Sequence, residues 1–231
     1  YLLGELSPRT SDTILSFGEL LSSYIIAEAL KQKLKNSSYK DSRELIKTNN
    51  SFGKAVVNFD VSNKLIVDFF ASNENQVVVM PGFIAASLDG INTTLGRGGS
   101  DYTAAILAGA LHANELEIWT DVNGMFTANP KIVKQAQPIV FISYQEAMEL
   151  SHFGAKVLYP PTNQPVLRKN IPILIKNTFE PAADGTYISN QEMDHTNPVK
   201  GISHIDNITL ITLEGSGMIG VTGSSKRLFE V

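Results

Sequence analysis

A glycine-rich turn that opens a helix is the feature that most constrains how this chain can fold. Residues 96–101 read GRGGSD, and an apolar helical pattern follows from Ser100 to His112. Because the first N–H groups of a helix have no partner inside the helix, such a turn can bind an anion. Arg97 adds a planar donor that suits a carboxylate or a phosphate. The spacing matches neither the dinucleotide-binding GxGxxG motif nor the P-loop, which requires a lysine.

Two interpretations of this turn are compatible with its residues. In the first, the backbone N–H groups of Gly98, Gly99 and Ser100 point at a bound anion. In the second, the segment is an ordinary glycine turn in which Ser100 caps the helix and Arg97 lies in solvent.

The order of apolar runs predicts the fold class. Short β-rich runs are separated by helical patterns of about 10–15 residues, which indicates an α/β layered domain with a largely parallel sheet, flanked by helices. Two of the buried strands are predicted at residues 76–80 and 173–176. We expect one domain over residues 1–188, a polar linker over 189–198, and the beginning of an α+β unit over 199–231.

The first helix is expected over residues 11–34, with an apolar face packed on a core. The polar residues Ser16, Glu19 and Ser23 share a different face, because they follow i, i+3, i+7 spacing. A buried carboxylate needs a partner, so Glu19 is a candidate ligand contact. Gly18 costs about 1 kcal/mol relative to alanine inside a helix, so another group is expected close to its backbone. The apolar face comprises Ile14, Phe17, Leu21 and Ile25.

A second candidate site follows the strand predicted at residues 117–120. Thr120 and Asp121 lie at the carboxyl end of that strand, where open α/β sheets bind ligands. Asp121 could contact a ribose or a metal ion, or it could simply start the turn that follows. Lys156, late on a helix, is either a surface lysine or a phosphate ligand. Phe83 is by default a core aromatic residue.

Composition excludes several classes of protein. The 231 residues contain no cysteine, so disulfides, thiolate zinc sites and cysteine nucleophiles are excluded. The four histidines form no pair at helical spacing, and no protein-held metal site is expected. With a net charge of −4 and a pI of 5.6, no nucleic-acid partner is expected. No apolar run approaches about 18–20 residues, so no membrane partner is expected and the cytoplasm is the default location.

These segments together resemble the aspartokinases of the amino acid kinase family. Their order and spacing fit the family over nearly all of residues 1–188, and the GRGGSDY run is very specific. The matching runs are residues 16–19 (SFGE), 81–84 (PGFI), 94–105 (TLGRGGSDYTAA), 118–122 (IWTDV) and 153–158 (FGAKVL).

Three further runs indicate a subgroup. Residues 143–150 (SYQEAMEL) and 175–178 (IKNT) look most like the aspartokinase half of bifunctional aspartokinase–homoserine dehydrogenases. Residues 199–203 (VKGIS) resemble the start of the ACT-type regulatory region of those proteins. The resemblance therefore implies an amino acid kinase-like fold followed by the beginning of an ACT-like domain.

The resemblance implies ATP-dependent phosphorylation of the L-aspartate β-carboxylate to 4-phospho-L-aspartate, the first step of lysine, threonine and methionine biosynthesis. ATP and Mg²⁺ are the implied cofactors, with Mg²⁺ bridging the phosphates. A carboxylate is already ionised at neutral pH, so this nucleophile needs no general base. Catalysis should then consist of positioning and charge neutralisation.

By the same resemblance, one group of residues binds the substrate. Arg97 would bind the α-carboxylate, Glu19 would face the ammonium group, and Ser100 at the helix N-terminus would hold carboxylate oxygens. Phe83 would line the pocket. The implied substrate-binding residues are Ser16, Glu19, Phe83, Arg97, Gly99 and Ser100.

A second group would hold the nucleotide. Lys156 would face its phosphates, and Asp101 would organise the cationic groups around the transferred phosphoryl, which makes these two the implied catalytic residues. The implied nucleotide-binding residues are Thr120, Asp121, Phe126, Lys131 and Lys156.

Four departures from the family pattern stand out. The opening Lys-Phe-Gly-Gly-Thr strand would lie upstream of Tyr1, so the chain alone is expected to be inactive. Because residues 227–231 also look like the middle of a helix, both ends are expected to be internal to a longer chain. Phe126 stands where many relatives have tyrosine, and Tyr159 where histidine is common. Lys131 keeps the charge of the usual arginine but loses its bidentate geometry.

Alternative functions stay open from the sequence. The chain could be another amino acid kinase, such as an acetylglutamate or glutamate kinase, or a non-catalytic amino-acid-sensing domain. The ACT-like start implies a homodimer and feedback inhibition by threonine or lysine in the longer protein. That protein could also carry homoserine dehydrogenase activity.

Overall fold

The computed structural model describes residues 6–152, 158–159, 163–190 and 199–209. Over these residues, the chain forms six helices and nine short strands. The helices are α1 (Pro8–Lys33), α2 (Ser42–Leu45), α3 (Phe59–Ser72), α4 (Gly99–Leu111), α5 (Tyr144–His152) and α6 (Gln164–Leu167). The strands are β1 (Ser37–Tyr39), β2 (Lys47–Thr48), β3 (Val77–Val79), β4 (Ile84–Ser87), β5 (Asn92–Thr94), β6 (Leu116–Thr120), β7 (Phe141–Ser143), β8 (Ile173–Asn177) and β9 (Thr186–Ser189).

The strands form three sheets among the described residues. β1 pairs with β3, the order β2-β4-β5 forms a second sheet, and the order β6-β8-β9-β7 forms the third. The pairs β1–β3, β2–β4, β6–β8 and β7–β9 are parallel, whereas β4–β5 and β8–β9 are antiparallel. The predicted α/β class with mainly parallel pairing is confirmed.

Helix α4 lies between the two apolar cores of the domain. One core surrounds the four-stranded sheet and includes Ile142 and Ile175, and Ala105 of α4 contributes to it. The other includes Ile46 and Ile66, and Ile106 of α4 contributes to it. Since neighbouring residues of α4 are buried in different cores, both cores fix the position of this helix and of the turn before it.

Helix α1 packs with the opposite face from the one that its sequence predicts. Asp12, Ser16, Ser23 and Ala27 are its buried residues. The expectation of an apolar face packed on a core is wrong, because hydrogen bonds satisfy the polar face inside the domain. The apolar side chains are more than half exposed: Ile14 56%, Phe17 56%, Leu21 60% and Ile25 65%.

Two further expectations about α1 need correction. A Cβ atom at Gly18 would meet nothing within 4 Å among the described residues, so no protein group approaches the backbone there. By length and composition alone, α1 is also apolar enough to span a membrane, which the search for continuous apolar runs missed. Core helices of soluble proteins pass the same test, and in this structure α1 packs on β1, β3 and β5.

Several short elements were not predicted. Residues 35–50, for which the sequence predicts no helix or strand, contain β1, α2 and β2. Strand β3 lies within the predicted 76–80 run but is only half-buried. Ser189, placed in the linker, is the last residue of β9.

Residues 199–209 contain no helix or strand and contact the preceding domain. The Ile202 N–H donates to the Thr127 carbonyl at 2.8 Å. The Lys200 Nζ lies 3.3 Å from the Glu146 carboxylate in α5. The remainder of the predicted α+β unit, from residue 210 onward, lies outside the described residues.

Candidate active site

The glycine turn before α4 adopts left-handed backbone conformations. Gly96 has φ of 74° and Gly98 has φ of 68°, a region that glycine enters without steric cost. Gly98 is the N-cap of α4 and provides no side-chain hydrogen bond. Ser100 lies inside the first turn of the helix, so the interpretation in which Ser100 caps α4 is wrong.

Because no side chain caps α4, the hydrogen bonds of the backbone determine which N–H groups can bind a ligand. The Gly99 N–H donates to the Gly96 carbonyl at 3.0 Å and is therefore already used, contrary to expectation. The N–H groups of Ser100 and Asp101 are in the first helical turn, where no intrahelical acceptor exists. They lie at the positive end of the helix dipole and can bind an anion.

Close backbone contacts lock this turn against residues 82–83. A Cβ atom at Gly82 would lie 2.9 Å from both the Cα and Cβ of Ser100, and one at Gly99 would lie 2.7 Å from the Phe83 ring. Both positions therefore require glycine. Phe83 itself has φ of 67°, which is strained for a residue with a side chain.

Thr103 connects the strained residue to the helix. Its Oγ1 accepts the Phe83 N–H at 3.1 Å and donates to the Gly99 carbonyl at 3.0 Å. The Phe83 carbonyl accepts the Leu95 N–H at 2.9 Å. The structure thus brings together Phe83, Gly99 and Ser100, three of the six predicted substrate-binding residues.

Arg97 is exposed at the edge of this turn. Its Cζ lies 5.4 Å from the centroid of the Tyr159 ring, a cation–π contact. Tyr159 is the position where the family often has histidine, and here its ring restricts the guanidinium without neutralising it. Arg97 therefore remains a positive group beside the open N–H donors of α4.

Asp101 is a half-buried carboxyl group on the same turn. Burial raises the pKa of Asp101 above its ordinary value. No hydrogen bond to its carboxylate occurs among the described residues. A carboxylate in this state is stabilised by any cation that binds next to it.

The predicted Ser16 reaches the second sheet from α1. The Asn92 Nδ2 donates to the Ser16 Oγ at 3.4 Å, and the Asn92 Oδ1 accepts from Arg43 at 2.9 Å. The Asp41 Oδ2 in turn accepts a hydrogen bond from the Arg43 Nη2 at 2.6 Å. Ser16 is completely buried in this network.

Glu19 is half-buried on the same face of α1. Within the described part of the chain, its carboxylate forms no hydrogen bond or ion pair, and none joins it to Arg97 or Ser100. The structure therefore leaves its carboxylate available on the polar face of α1 without bringing it into contact with the turn.

Asp12 is a buried residue that the sequence analysis did not single out. Its carboxylate accepts the Gly53 N–H at 3.0 Å, the Thr94 N–H at 3.0 Å and the Thr94 hydroxyl at 2.9 Å. Thr94 is the last residue of β5, directly before the glycine turn begins. Asp12 thereby fixes α1 to the strand that leads into the candidate site.

The second predicted site lies at the end of β6. The Thr120 Oγ1 donates to the Asp121 carboxylate at 3.2 Å, and the Thr120 carbonyl accepts the Thr178 N–H at 2.8 Å. The turn that follows is anchored at Asn123, whose Oδ1 accepts from Asn177 at 2.5 Å. Asp121 is exposed, and its carboxylate forms no hydrogen bond with the residues of the turn that follows. The carboxylate therefore stays accessible at the sheet edge.

The remaining nucleotide candidates are less closely grouped. Phe126 is half-buried and forms an isolated bridge with Pro138. Lys131 is exposed, and its contact is a backbone N–H donated to the Asn129 side chain at 3.0 Å. Lys156 lies outside the described residues. Among the members of this group that the structure describes, none has a hydrogen bond to the turn before α4, although α4 packs directly against β6.

The donor set fits a magnesium ion that is held mainly by phosphates. Among the described residues, no group of three acidic or histidine side chains could hold a metal by itself. Mg²⁺ commonly binds through one or two carboxylates together with substrate phosphates and water. The half-buried Asp101 and the exposed Asp121 are carboxylates of that kind.

Comparison with known proteins gives one family and a consistent set of relatives. Residues 4–177 match the model of the amino acid kinase family. The chain is 39% identical over 235 residues to the chloroplastic bifunctional aspartokinase/homoserine dehydrogenase 2 of Arabidopsis thaliana, covering 99% of this chain and 26% of that protein. It is 37% identical over 228 residues to the lysine-sensitive aspartokinase 3 of Escherichia coli, covering 97% of this chain and 50% of that protein.

Solved structures agree with these relatives. The crystal structure of E. coli aspartokinase III in complex with aspartate and ADP superposes with a TM-score of 0.77 at 39% identity, covering 83% of this chain and 43% of that one. The aspartate kinase of Clostridium acetobutylicum superposes with a TM-score of 0.71 at 35% identity, covering 84% and 42%. The chain thus spans about a quarter of the length of the bifunctional relatives and half of the E. coli enzyme.

Proposed function

The chain belongs to the amino acid kinase family, and we propose that it provides the catalytic core of an aspartate kinase. The reaction is transfer of the γ-phosphoryl group of ATP to the β-carboxylate of L-aspartate. The observation that carries the proposal is the locked, uncapped start of α4, with open N–H donors at Ser100 and Asp101 beside the positive Arg97. This arrangement is suited to a small dianionic acid.

The proposed substrate contacts follow from charge. Arg97 binds the α-carboxylate, because a guanidinium donates two parallel hydrogen bonds to a carboxylate. Ser100 and the N–H groups of the first helical turn hold the reacting β-carboxylate, and the Phe83 ring and the Gly99 backbone form the wall behind it. Glu19, with Ser16 beside it on α1, faces the ammonium group.

The proposed nucleotide contacts lie at the end of β6. Thr120, Asp121 and Phe126 hold the nucleoside, and Lys131 and Lys156 face its phosphates. Mg²⁺, when bound, neutralises the charge of the β- and γ-phosphates. Asp101 orients the cations that surround the transferred group. Because the attacking carboxylate is already ionised, no residue of the chain needs to remove a proton.

Glu19 favours aspartate over the N-acylated substrate of an acetylglutamate kinase. A half-buried carboxylate without a partner among the described residues stabilises a free ammonium group and disfavours an uncharged amide. The other kinase specificities and a purely sensing role are the competing hypotheses.

Three features of the longer protein complete the proposal. Residues 199–231 begin an ACT-type region that binds threonine or lysine as feedback effector, and the protein is a homodimer. A crystal structure of E. coli aspartokinase III contains lysine and aspartate, which supports an amino acid effector. The cytoplasm is the proposed location, with a plastid as the alternative because several relatives are named chloroplastic.

The test is product formation by the natural protein that carries this sequence. Hydroxylamine traps an acyl phosphate as a hydroxamate, so it detects the proposed product directly. We expect ATP-dependent hydroxamate with L-aspartate and none with L-glutamate or N-acetyl-L-glutamate. Glu19→Gln should raise the aspartate KM, whereas Glu28→Gln, an exposed control on the same helix, should not. Turnover of N-acetyl-L-glutamate instead, or aspartate binding without ADP formation, would contradict the proposal.

A further inference from the structure

A cavity of about 390 Å³ lies between α3, α4 and α6, on a different face of α4 from the candidate active site. Its volume falls within the range of small-molecule sites. Tyr102, Ile106 and Ala110 of α4 line it at i, i+4, i+8 spacing, so they share one face of the helix. Thr103, which contacts Phe83 and Gly99, lies on another face. The cavity is therefore separate from the glycine turn.

The floor of the cavity is apolar and closely packed. Phe59 of α3 lines the cavity with an apolar side chain that is 38% exposed, and Ile106 of α4, 1% exposed, lines it from the core side. A Cβ atom at Gly109 would lie 3.1 Å from the Pro165 carbonyl oxygen, so α4 and α6 approach closely there. The floor thus offers a preformed surface for a flat apolar group.

The charge around the cavity has one sign. Arg168 and Lys169 line it, and none of its lining residues is acidic. Among the described residues, neither cation forms an ion pair; the Lys169 Nζ lies 3.2 Å from the His112 Nε2. Cations at the edge of an apolar pocket complement a ligand that has an apolar body and an anionic end.

We propose that this cavity is a binding site for a small amphipathic carboxylate with an aromatic or branched apolar body. The body lies on Phe59, Ile106 and Ala110, and the carboxylate lies between Arg168 and Lys169. Among the residues that line the cavity, Tyr102 is the one closest in sequence to Ser100. The proposal does not depend on the kinase assignment, since it concerns binding alone.

The test uses 3-phenylpropanoate as the probe, titrated by ligand-observed NMR into the natural protein that carries this chain. We expect saturable binding with a Kd of roughly millimolar, as is usual for so small a ligand. The uncharged analogue 3-phenylpropanamide should bind about fivefold to tenfold more weakly, because it lacks the contact with the two cations. Saturating L-aspartate with ADP should not displace the probe.

Variants provide the matched comparison. Arg168→Gln with Lys169→Gln should weaken 3-phenylpropanoate about fivefold to tenfold and leave 3-phenylpropanamide unchanged. Arg9→Gln with Lys33→Gln, which removes two exposed cations of α1, should change neither affinity. Equal affinity for the acid and the amide, displacement by aspartate, or no binding would each overturn the proposal. The comparison of the two probes on the unmodified protein holds even where a variant fails to fold.

Discussion

At the scale of single residues, the carboxylate of Asp12 ties three segments together. It accepts hydrogen bonds from Gly53 and Thr94, which belong to the loop after β2 and to the end of β5. The residue is 1% exposed. A buried carboxylate of this kind is stable only while its donors remain in place, and the buried donors of Thr94 have no water to replace it.

We predict that Asp12→Ala lowers the free energy of unfolding by about 2–4 kcal/mol, because it leaves the two buried donors of Thr94 without an acceptor. Urea denaturation followed by circular dichroism measures this. Asp68→Ala, at an exposed position of α3, is the control and should change stability by less than about 0.5 kcal/mol. Equal effects of the two variants would contradict the role assigned to Asp12.

Local motifs predicted the residues of the turn but not those that support it. Arg97 and Ser100 follow from the glycine run, because the turn and the helix start are encoded within a few residues. Asp12 reaches Thr94 across 82 positions of sequence. Nothing in the neighbourhood of either residue signals that contact, which only the packing of α1 on β5 creates.

At the scale of elements, the start of α5 is the clearest agreement between sequence and structure. The Ser-x-x-Glu pattern of residues 143–146 is typical of a capping box, and the box is present: the Ser143 N–H donates to the Glu146 carboxylate at 2.9 Å, and the Glu146 N–H donates to the Ser143 hydroxyl at 3.2 Å. Lys200 adds an ion pair from the segment that follows the domain. Desolvation raises the pKa of Glu146, but the hydrogen bonds from Ser143 and Lys200 outweigh it and hold the pKa below 4.5.

This lowered pKa predicts a pH-dependent contribution of Glu146 to stability. A carboxyl group whose pKa is lower in the folded state stabilises the protein above its unfolded pKa and loses this effect as pH falls through the folded value. The stability difference between wild type and Glu146→Gln should therefore be present at pH 7 and be lost as the pH falls through the lowered pKa of Glu146. Denaturation over this range measures it. In a Ser143→Ala background the difference should be smaller; an undiminished difference would contradict the capping role.

Helix α1 gives a second prediction at this scale. Because a Cβ atom at Gly18 meets nothing within 4 Å, Gly18→Ala should stabilise the protein by about 0.5–1 kcal/mol through helix propensity. Gly82→Ala is the comparison and should destabilise, since its Cβ atom would lie 2.9 Å from Ser100. Thermal unfolding distinguishes the two. A loss of stability in Gly18→Ala would show that another group occupies that space.

The elements that could be predicted are the long ones. Helix α4 and strands β6 and β8 each contain enough residues for a recognisable pattern, and their predicted bounds are within two residues of the observed ones. Strands β1, β2 and β5 have only two or three residues; pairing with strands distant in sequence defines β1 and β2, and pairing with the neighbouring β4 defines β5. No local pattern of that length separates a strand from a loop.

At the scale of the whole molecule, the apolar face of α1 is the largest departure from the expected burial. Hydrophobic spacing identifies the face that is apolar, but it does not determine whether that face or the polar one packs inward. Here the hydrogen bonds that the Asp12 carboxylate and the Ser16 hydroxyl accept from Thr94 and Asn92 decide the orientation. The outcome is a long helix with its large apolar side chains at the surface of the described domain.

We predict that replacing Ile14, Leu21 and Ile25 together by serine costs the 231-residue chain less than about 1.5 kcal/mol of stability, since only helix propensity is lost. The same triple variant should bind less of the dye ANS, which reports exposed apolar surface. Ile66→Ser, at a fully buried position, is the contrasting control and should be far more destabilising. Unfolding of the triple variant would show that these side chains are buried.

The central claim is that the turn over residues 96–101 binds the carboxylate end of aspartate. Calorimetric titration of L-aspartate, in the presence of ADP, into the natural protein and its Arg97→Ala variant tests this most directly. We predict a loss of about 2–5 kcal/mol in binding free energy for Arg97→Ala, which is roughly thirtyfold or more in Kd. Arg9→Ala, at an exposed position of α1, should leave the affinity unchanged. An aspartate affinity for Arg97→Ala equal to that of the unmodified protein would contradict the account.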